Sequence, residues 1–191
     1  MRIEPVRLEG PRVVVRTACL DDARRFVAYF DRNRAHLEPW EPARDVAFYT
    51  ESYWTERIRG YEEDLERGTG HRFAVFERGE DELAGNIGVF EIIARDPVWR
   101  GRVGYSLDAK KEGRGIMGEA LGLVTRYAFD VLHLKRIQAG YIPRNVRSAR
   151  VLERAGFVKE GYYREYLRVG GEWNDHIDTS LINAAWRAPT P

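Results

Sequence analysis

Glycines 113, 115 and 118, with Lys110, Lys111 and Arg114 beside them, stand between a stretch that reads as a strand (103–107) and one that reads as a helix (116–132). Residue types at this spacing build an anion cradle. Glycine tolerates positive φ and brings no Cβ to keep a ligand off the backbone, and a helix start offers unpaired N–H groups and the positive end of its dipole. The neighbouring cations favour a phosphate over a carboxylate. Gly113-x-Gly115-x-x-Gly118 also matches the dinucleotide fingerprint, but that motif needs an apolar strand directly before its first glycine and an acidic residue about 20 positions on. Here the five residues before Gly113 are Asp-Ala-Lys-Lys-Glu, and the later window holds Gln138. The Gly-Lys-Ser/Thr of the kinase-type phosphate loop is absent as well.

The elements that must hold this cradle follow from periodicity and punctuation. Residues 12–16 (Arg-Val-Val-Val-Arg) read as a strand, and Asp21-Asp22 opens a helix through Phe26, Tyr29 and Phe30. Residues 38–49, with Pro39, Trp40 and Pro42, read as a loop. Helical spacing returns over 51–67 and stops at Gly68-Thr69-Gly70. A β-hairpin follows over 73–93, then a strand at 102–107, the cradle and its helix, and a strand within 134–141. Asn145 caps a further helix that ends at Ala155-Gly156, and two strands close the chain over 157–169 and 176–184. The order is β-α-α-β-β-β-α-β-α-β-β. The strand-helix-strand unit over 102–141 makes its two strands parallel in a sheet that is otherwise mainly antiparallel.

With 191 residues, one domain is the expectation over the whole chain. Hydrophobic content of 43% and charged content of 32% describe a soluble globule. Lys plus Arg number 31 against 30 Asp plus Glu, so no general basic field marks out a nucleic-acid partner. No apolar run approaches 18 residues, and Met1-Arg2-Ile3-Glu4-Pro5 carries no signal-peptide pattern, which together point to the cytoplasm and away from a membrane. Cys19 is the single cysteine and reads as a small buried filler rather than a nucleophile. The four histidines have no metal-ligand spacing, so no metal site is expected.

The run Val103-Gly-Tyr-Ser-Leu-Asp, then Gly113-Arg-Gly-Ile-Met-Gly-Glu-Ala-Leu121, resembles the GNAT superfamily of N-acetyltransferases, and within it the RimJ/RimL branch that acetylates ribosomal-protein N-termini. Asn145-Val-Arg-Ser148-Ala-Arg-Val-Leu152-Glu-Arg-Ala-Gly156-Phe157 and His36-Leu37-Glu38-Pro39-Trp40 carry the same likeness, and the pieces together span 36–183. The cofactor turn of the superfamily, Gln/Arg-x-x-Gly-x-Gly/Ala, is met here by Glu112-x-x-Gly115-x-Met117, departing at its first and last places. The resemblance implies an α/β fold with splayed central strands and acetyl-CoA as donor. Ser106, Leu107 and Asp108 would then meet the pantetheine arm, Gly113, Arg114, Gly115, Ile116, Met117 and Gly118 the pyrophosphate, and Asn145 and Arg147 other parts of the cofactor.

The resemblance also assigns chemistry. Many members protonate the leaving thiolate with a tyrosine seven residues after the asparagine, where this chain has Leu152. Ser148 stands where the RimJ/RimL branch carries the serine proposed for that task. The branch's glutamate base falls on Leu167, so Glu165, two residues earlier, or Glu91, at the end of the hairpin, would have to substitute. Trp40 reads as a wall of the acceptor pocket or a cover for the core. The acceptor is expected to be a protein N-terminal amine. A small-molecule amine remains an alternative, as does an acyl-CoA-binding module without turnover.

Overall fold

The computed structural model describes residues 4–188. Eight strands form one sheet in the order β1-β2-β3-β4-β5-β6-β8-β7: Arg7–Glu9, Val13–Thr17, Gly70–Glu77, Leu83–Arg95, Val98–Leu107, Arg136–Tyr141, Val158–Val169 and Glu172–Ile182 for β1 to β8. Every neighbouring pair is antiparallel except β5 and β6. Among the described residues, five α-helices accompany the sheet: α1 (Ala23–Arg32), α2 (Arg34–Leu37), α3 (Glu51–Arg67), α4 (Ile116–Asp130) and α5 (Val146–Arg154). The expected mixed α/β architecture with its parallel crossover is present. Two elements are additional to the expected order: β1, which folds back on β2 through the Gly10 N–H to Val13 carbonyl bond (2.9 Å), and the one-turn α2.

Helix limits follow local chemistry. Thr50 caps α3 by accepting from the Tyr53 N–H, and Gly68 ends it at φ 70°, a conformation that glycine adopts without penalty. Asn145 accepts from the Ser148 N–H at 3.0 Å to cap α5. Along α4, Ile116, Ala120, Leu121, Val124, Tyr127 and Ala128 recur at helical spacing and are buried against one face of the sheet. The other face packs against α1 and α3, where Trp54 stacks on Phe26 at 4.6 Å and on Phe30 at 4.9 Å. Helices therefore cover the β2–β5 half of the sheet on both sides.

Toward β6 this changes. β5 and β6 pair only from Arg100–Arg136 to Arg102–Gln138, after which each strand continues alone on that side. The Asp108 N–H bonds the Ala84 carbonyl of β4 (2.8 Å), and the Lys135 N–H bonds the Trp99 carbonyl (2.9 Å). Backbone groups alternate sides along a strand, so even-numbered residues of β5 face β4 and odd-numbered ones face β6. The backbones of Val103, Tyr105 and Leu107 thus open into a gap between splayed strands.

Candidate active site

The cradle forms as the glycines require. Gly113 and Gly115 sit at φ 72° and 76°, and Gly115 is the N-cap of α4 with no side chain capping it. The first N–H groups of α4 are therefore free for a ligand. Gly118 has no such backbone reason to be glycine, since its φ is not positive and a Cβ there would meet nothing within 4 Å. Ile116 and Met117 instead point inward and are buried, so they offer the ligand backbone only.

The cations around the cradle are arranged differently from the sequence reading. Lys111 is pinned to Glu77 (2.7 Å) and Glu80 (2.6 Å), and Arg114 also bonds Glu77, while Lys110 is exposed. A further cation, Arg12, was not foreseen. Its guanidinium lies 3.3–3.4 Å from the place a Gly115 Cβ would take, held by Glu119 of α4 at 2.8 Å. Only folding of the β1–β2 hairpin over α4 brings it there, which no local pattern reveals. Arg147 bonds Glu112 at 3.1 Å but is 71% exposed, and an exposed ion pair of this kind is weak enough to be exchanged for a phosphate.

Of the three residues expected to meet a pantetheine arm, Leu107 alone turns its backbone into the gap. Ser106 faces β4 in the ladder, and the Asp108 N–H bonds the Ala84 carbonyl of β4 while its own carbonyl accepts from the Lys111 N–H (2.9 Å). Tyr105 turns its backbone to the same side as Leu107. Ser106 acts through its side chain: its Oγ accepts from the Tyr29 hydroxyl (2.9 Å) and from Asn86 Nδ2 (2.7 Å). Asp108 is structural. Burial works to raise its pKa, but hydrogen bonds from Arg32 (2.6 Å), Asn33 (3.1 Å) and the Lys110 N–H (2.8 Å) prevail and hold it below the ordinary carboxylate value.

The two sides of the gap differ. On the α4 side, Ser148 Oγ lies 3.0 Å from the Tyr105 hydroxyl. Burial pushes Tyr105 up to about 12, against the pull of that hydrogen bond, so it stays protonated. Leu152, where a catalytic tyrosine would stand, is buried in the core. On the opposite side, Arg102 bonds Asp178 (3.2 Å), which also accepts from Gln138 Nε2 (3.1 Å). Glu91 approaches Arg102 at 4.0 Å from a bulge in β4, where its φ is 51°. His176 is buried on this side, with Nδ1 3.3 Å from the Asn174 carbonyl and its ring beside Tyr166. That contact favours the tautomer with its proton on Nδ1, leaving a lone pair on Nε2. Its scattered position gave the sequence reading no signal.

Glu165 is not brought to these groups. The bulge between Tyr163 and Leu167 gives it φ 48°, its N–H bonds Asp175 Oδ1 (2.8 Å), and it is exposed. Trp40 is half-buried and belongs to neither core cluster. Arg144 stands 5.6 Å from its ring while bonding the Pro39 carbonyl (3.2 Å) and Asn174, so Trp40 is tied to β8 at the rim of the open side. Cys19 is only partly buried and contacts Asp22 and Arg16 far from the cradle. Among the described residues, no His/Cys/Asp/Glu group could hold a metal ion, and no helix is long and apolar enough to cross a membrane.

A sheet splayed at one parallel pair, with an uncapped helix N-terminus at the end of the splay, is the framework of an acyl-CoA-dependent acyltransferase. The chain belongs to the GNAT acetyltransferase family, whose domain matches residues 12–158. It is 38% identical over 184 residues, 96% of this chain and 94% of the relative, to the ribosomal protein uS5-alanine N-acetyltransferase of Escherichia coli. The crystal structure of ribosomal-protein-S5-alanine acetyltransferase from Vibrio fischeri superposes with a TM-score of 0.91 at 41% identity, covering 95% of this chain and 99% of that one. Mycobacterium smegmatis RimJ in complex with CoA-disulfide gives 0.84 at 26% identity, covering 94% and 86%. The protein is an acetyl-CoA-dependent N-acetyltransferase of RimJ/RimL type.

Proposed function

We propose that the acceptor is the α-amine of a polypeptide N-terminus, of the kind ribosomal proteins present, and that transfer is direct. The observation that carries this reading is the two-sided gap. Ser148 and Tyr105 stand on one side of it, and an uncovered face with Arg102, Gln138 and Asp178 lies on the other. A polycationic small molecule would need free carboxylates on that face, but Asp178 and Glu91 both share Arg102. The names of the relatives above support the same acceptor class.

Bound acetyl-CoA supplies an activated thioester carbonyl. The free N–H groups of α4 and the Arg12 guanidinium would hold its phosphates, with Arg114 and Arg147 released from Glu77 and Glu112 to assist. Backbone groups of Val103, Tyr105 and Leu107 would align its amide arm and offer an N–H to the carbonyl oxygen as charge develops there. Glu91 or His176 takes the amine's proton, directly or through water, and Ser148 gives a proton to the departing thiolate. Glu165 serves only if the β7 bulge moves. An α-amine has a pKa near 8, about 2 units below lysine, so weak base assistance suffices.

The test is thioester loss from acetyl-CoA with alanine-initiated ribosomal-protein peptides, polyamines and an aminoglycoside as acceptors, followed by mass spectrometry of the product. Acetylation confined to the peptide α-amine is the expected result. Turnover with the small amines alone would replace this reading, and thioester binding without turnover on any acceptor would mean a binding module.

A further inference from the structure

Among the described residues, one arginine on the α1/α3 face makes no close ion pair, and Asp64 and Glu91 attract it only at a distance. Arg72 of β3 stands opposite Gly88 of β4, and a Cβ at 88 would meet Arg72 Cδ at 2.6 Å and Nη1 at 3.1 Å. The side chain therefore lies flat across the glycine. Its guanidinium is stacked 4.3 Å from the Phe90 ring and 5.5 Å from Tyr61. Nε is fully buried with no hydrogen-bond partner. Every other guanidinium in this neighbourhood is engaged: Arg57 bonds the Tyr61 hydroxyl (3.2 Å) and Arg44 bonds Glu41 (2.8 Å). Burial pulls the Arg72 pKa below the ordinary arginine value, more strongly than Tyr61, Asp64 and Glu91 raise it. A buried donor without a partner is costly, and Nε of Arg72 is such a donor.

The guanidinium borders a cavity of about 160 Å³ between α1, α3, β3 and β4. Arg44, Arg57 and Asn86 also line it, and the only acid in the lining is Glu41, already bonded to Arg44. The lining is cationic with aromatic walls, including Trp54 and Phe30. A planar guanidinium recognises a carboxylate through two parallel N–H bonds. Neighbouring strands are about 4.8 Å apart, so Arg72, on the α1/α3 face of β3, starts about 10 Å from β5, the strand that borders the gap. An extended chain advances about 3.3–3.6 Å per residue and covers that span in about three residues.

We propose that this cavity is a carboxylate subsite, which takes the acidic side chain of an acceptor polypeptide a few residues beyond its reacting amine. The inference rests on the polypeptide acceptor proposed above and adds a sequence preference to it. Asn86 joins the two regions, since it lines the cavity and donates to Ser106 of β5.

Steady-state kinetics decide it. Short alanine-initiated peptides with one Asp or Glu at the second to fifth position are compared with their Asn or Gln isosteres. For one position the acidic peptide should show a KM lower by about ten-fold at similar kcat, as expected for a charge-assisted pair. Arg72→Met should erase that difference by raising the KM of the acidic peptide alone, and Arg72→Lys should keep part of it. Equal KM values for acidic and amide peptides at every position, measured on the unaltered enzyme, would overturn the subsite without touching the polypeptide reading. A preference that survives in folded Arg72→Met would also overturn it. Where no peptide is acetylated, the polypeptide acceptor fails, and calorimetry with glutarate tests the cavity alone. Binding weakened by Arg72→Met keeps the carboxylate site, and no binding ends it.

Discussion

Ser148 is bound at two points with separate consequences. Its backbone N–H caps through Asn145 Oδ1, while its hydroxyl meets Tyr105. Removing the hydroxyl therefore leaves the cap intact. Ser148→Ala should lower kcat by roughly 10², the low end for general acid catalysis, because a thiol with a pKa near 8.5 is a tolerable leaving group unaided. The CoA dissociation constant and the melting temperature should hardly move. A near-normal kcat would remove Ser148 from the chemistry. Tyr105 keeps its proton at working pH and can donate to Ser148 Oγ, which frees the serine hydrogen for the gap. Tyr105→Phe should then reduce kcat by about ten-fold, the scale of one lost hydrogen bond in the transition state, with KM for acetyl-CoA unchanged. A rise in KM with normal kcat would instead make Tyr105 part of the cofactor's binding wall.

Elements with explicit punctuation were legible in the sequence. The chain from Glu51 to Gly68 reads as α3 because an apolar stripe and a stop glycine agree, and α5 is recovered from its Asn145 cap and its stop at Gly156. Counting along strands worked less well. Glu165 was placed on the face of Leu167 by period-two alternation, and the β7 bulge breaks that alternation between Tyr163 and Leu167. Three-residue β1 and one-turn α2 are too short to show any period. The cradle was legible because its glycines answer to local backbone geometry, whereas Arg12 is supplied from more than a hundred residues away through Glu119. Gly118 offers a test at this scale. It stands in the first turn of α4 with ordinary helical backbone and open space at its Cβ, so Gly118→Ala should stabilise the apo protein by about 0.5–1 kcal/mol. That gain raises the melting temperature by about 1–4 °C for a chain of this size. The same methyl group enters the space reserved for a phosphate, so affinity for CoA should fall several-fold. A more stable protein with unchanged affinity would show that the ligand does not approach this turn.

Across the whole molecule, the gap can exist only because the sheet is clamped where it is not splayed. His71 is one such clamp. It is fully buried, with Nε2 2.7 Å from the Thr17 hydroxyl of β2 and Nδ1 2.9 Å from the Tyr127 hydroxyl of α4, so it fastens strand to strand and sheet to helix. Burial lowers its pKa from 6.5 to about 3, and the native state therefore keeps it neutral. The unfolded chain takes up a proton on His71 near pH 6.5 and the folded one does not until about pH 3. Between those values the unfolded state binds more protons, so stability falls as pH falls, by at most about 1.4 kcal/mol per pH unit from this group. At pH 5 the loss relative to pH 7 is about 2 kcal/mol. His71→Gln keeps a donor and an acceptor but cannot titrate. Urea unfolding at pH 7 and pH 5 should show the variant losing less stability than the parent by about that amount, even though it begins less stable through imperfect packing. Equal losses in the two proteins would mean that acid reaches the fold through groups other than His71.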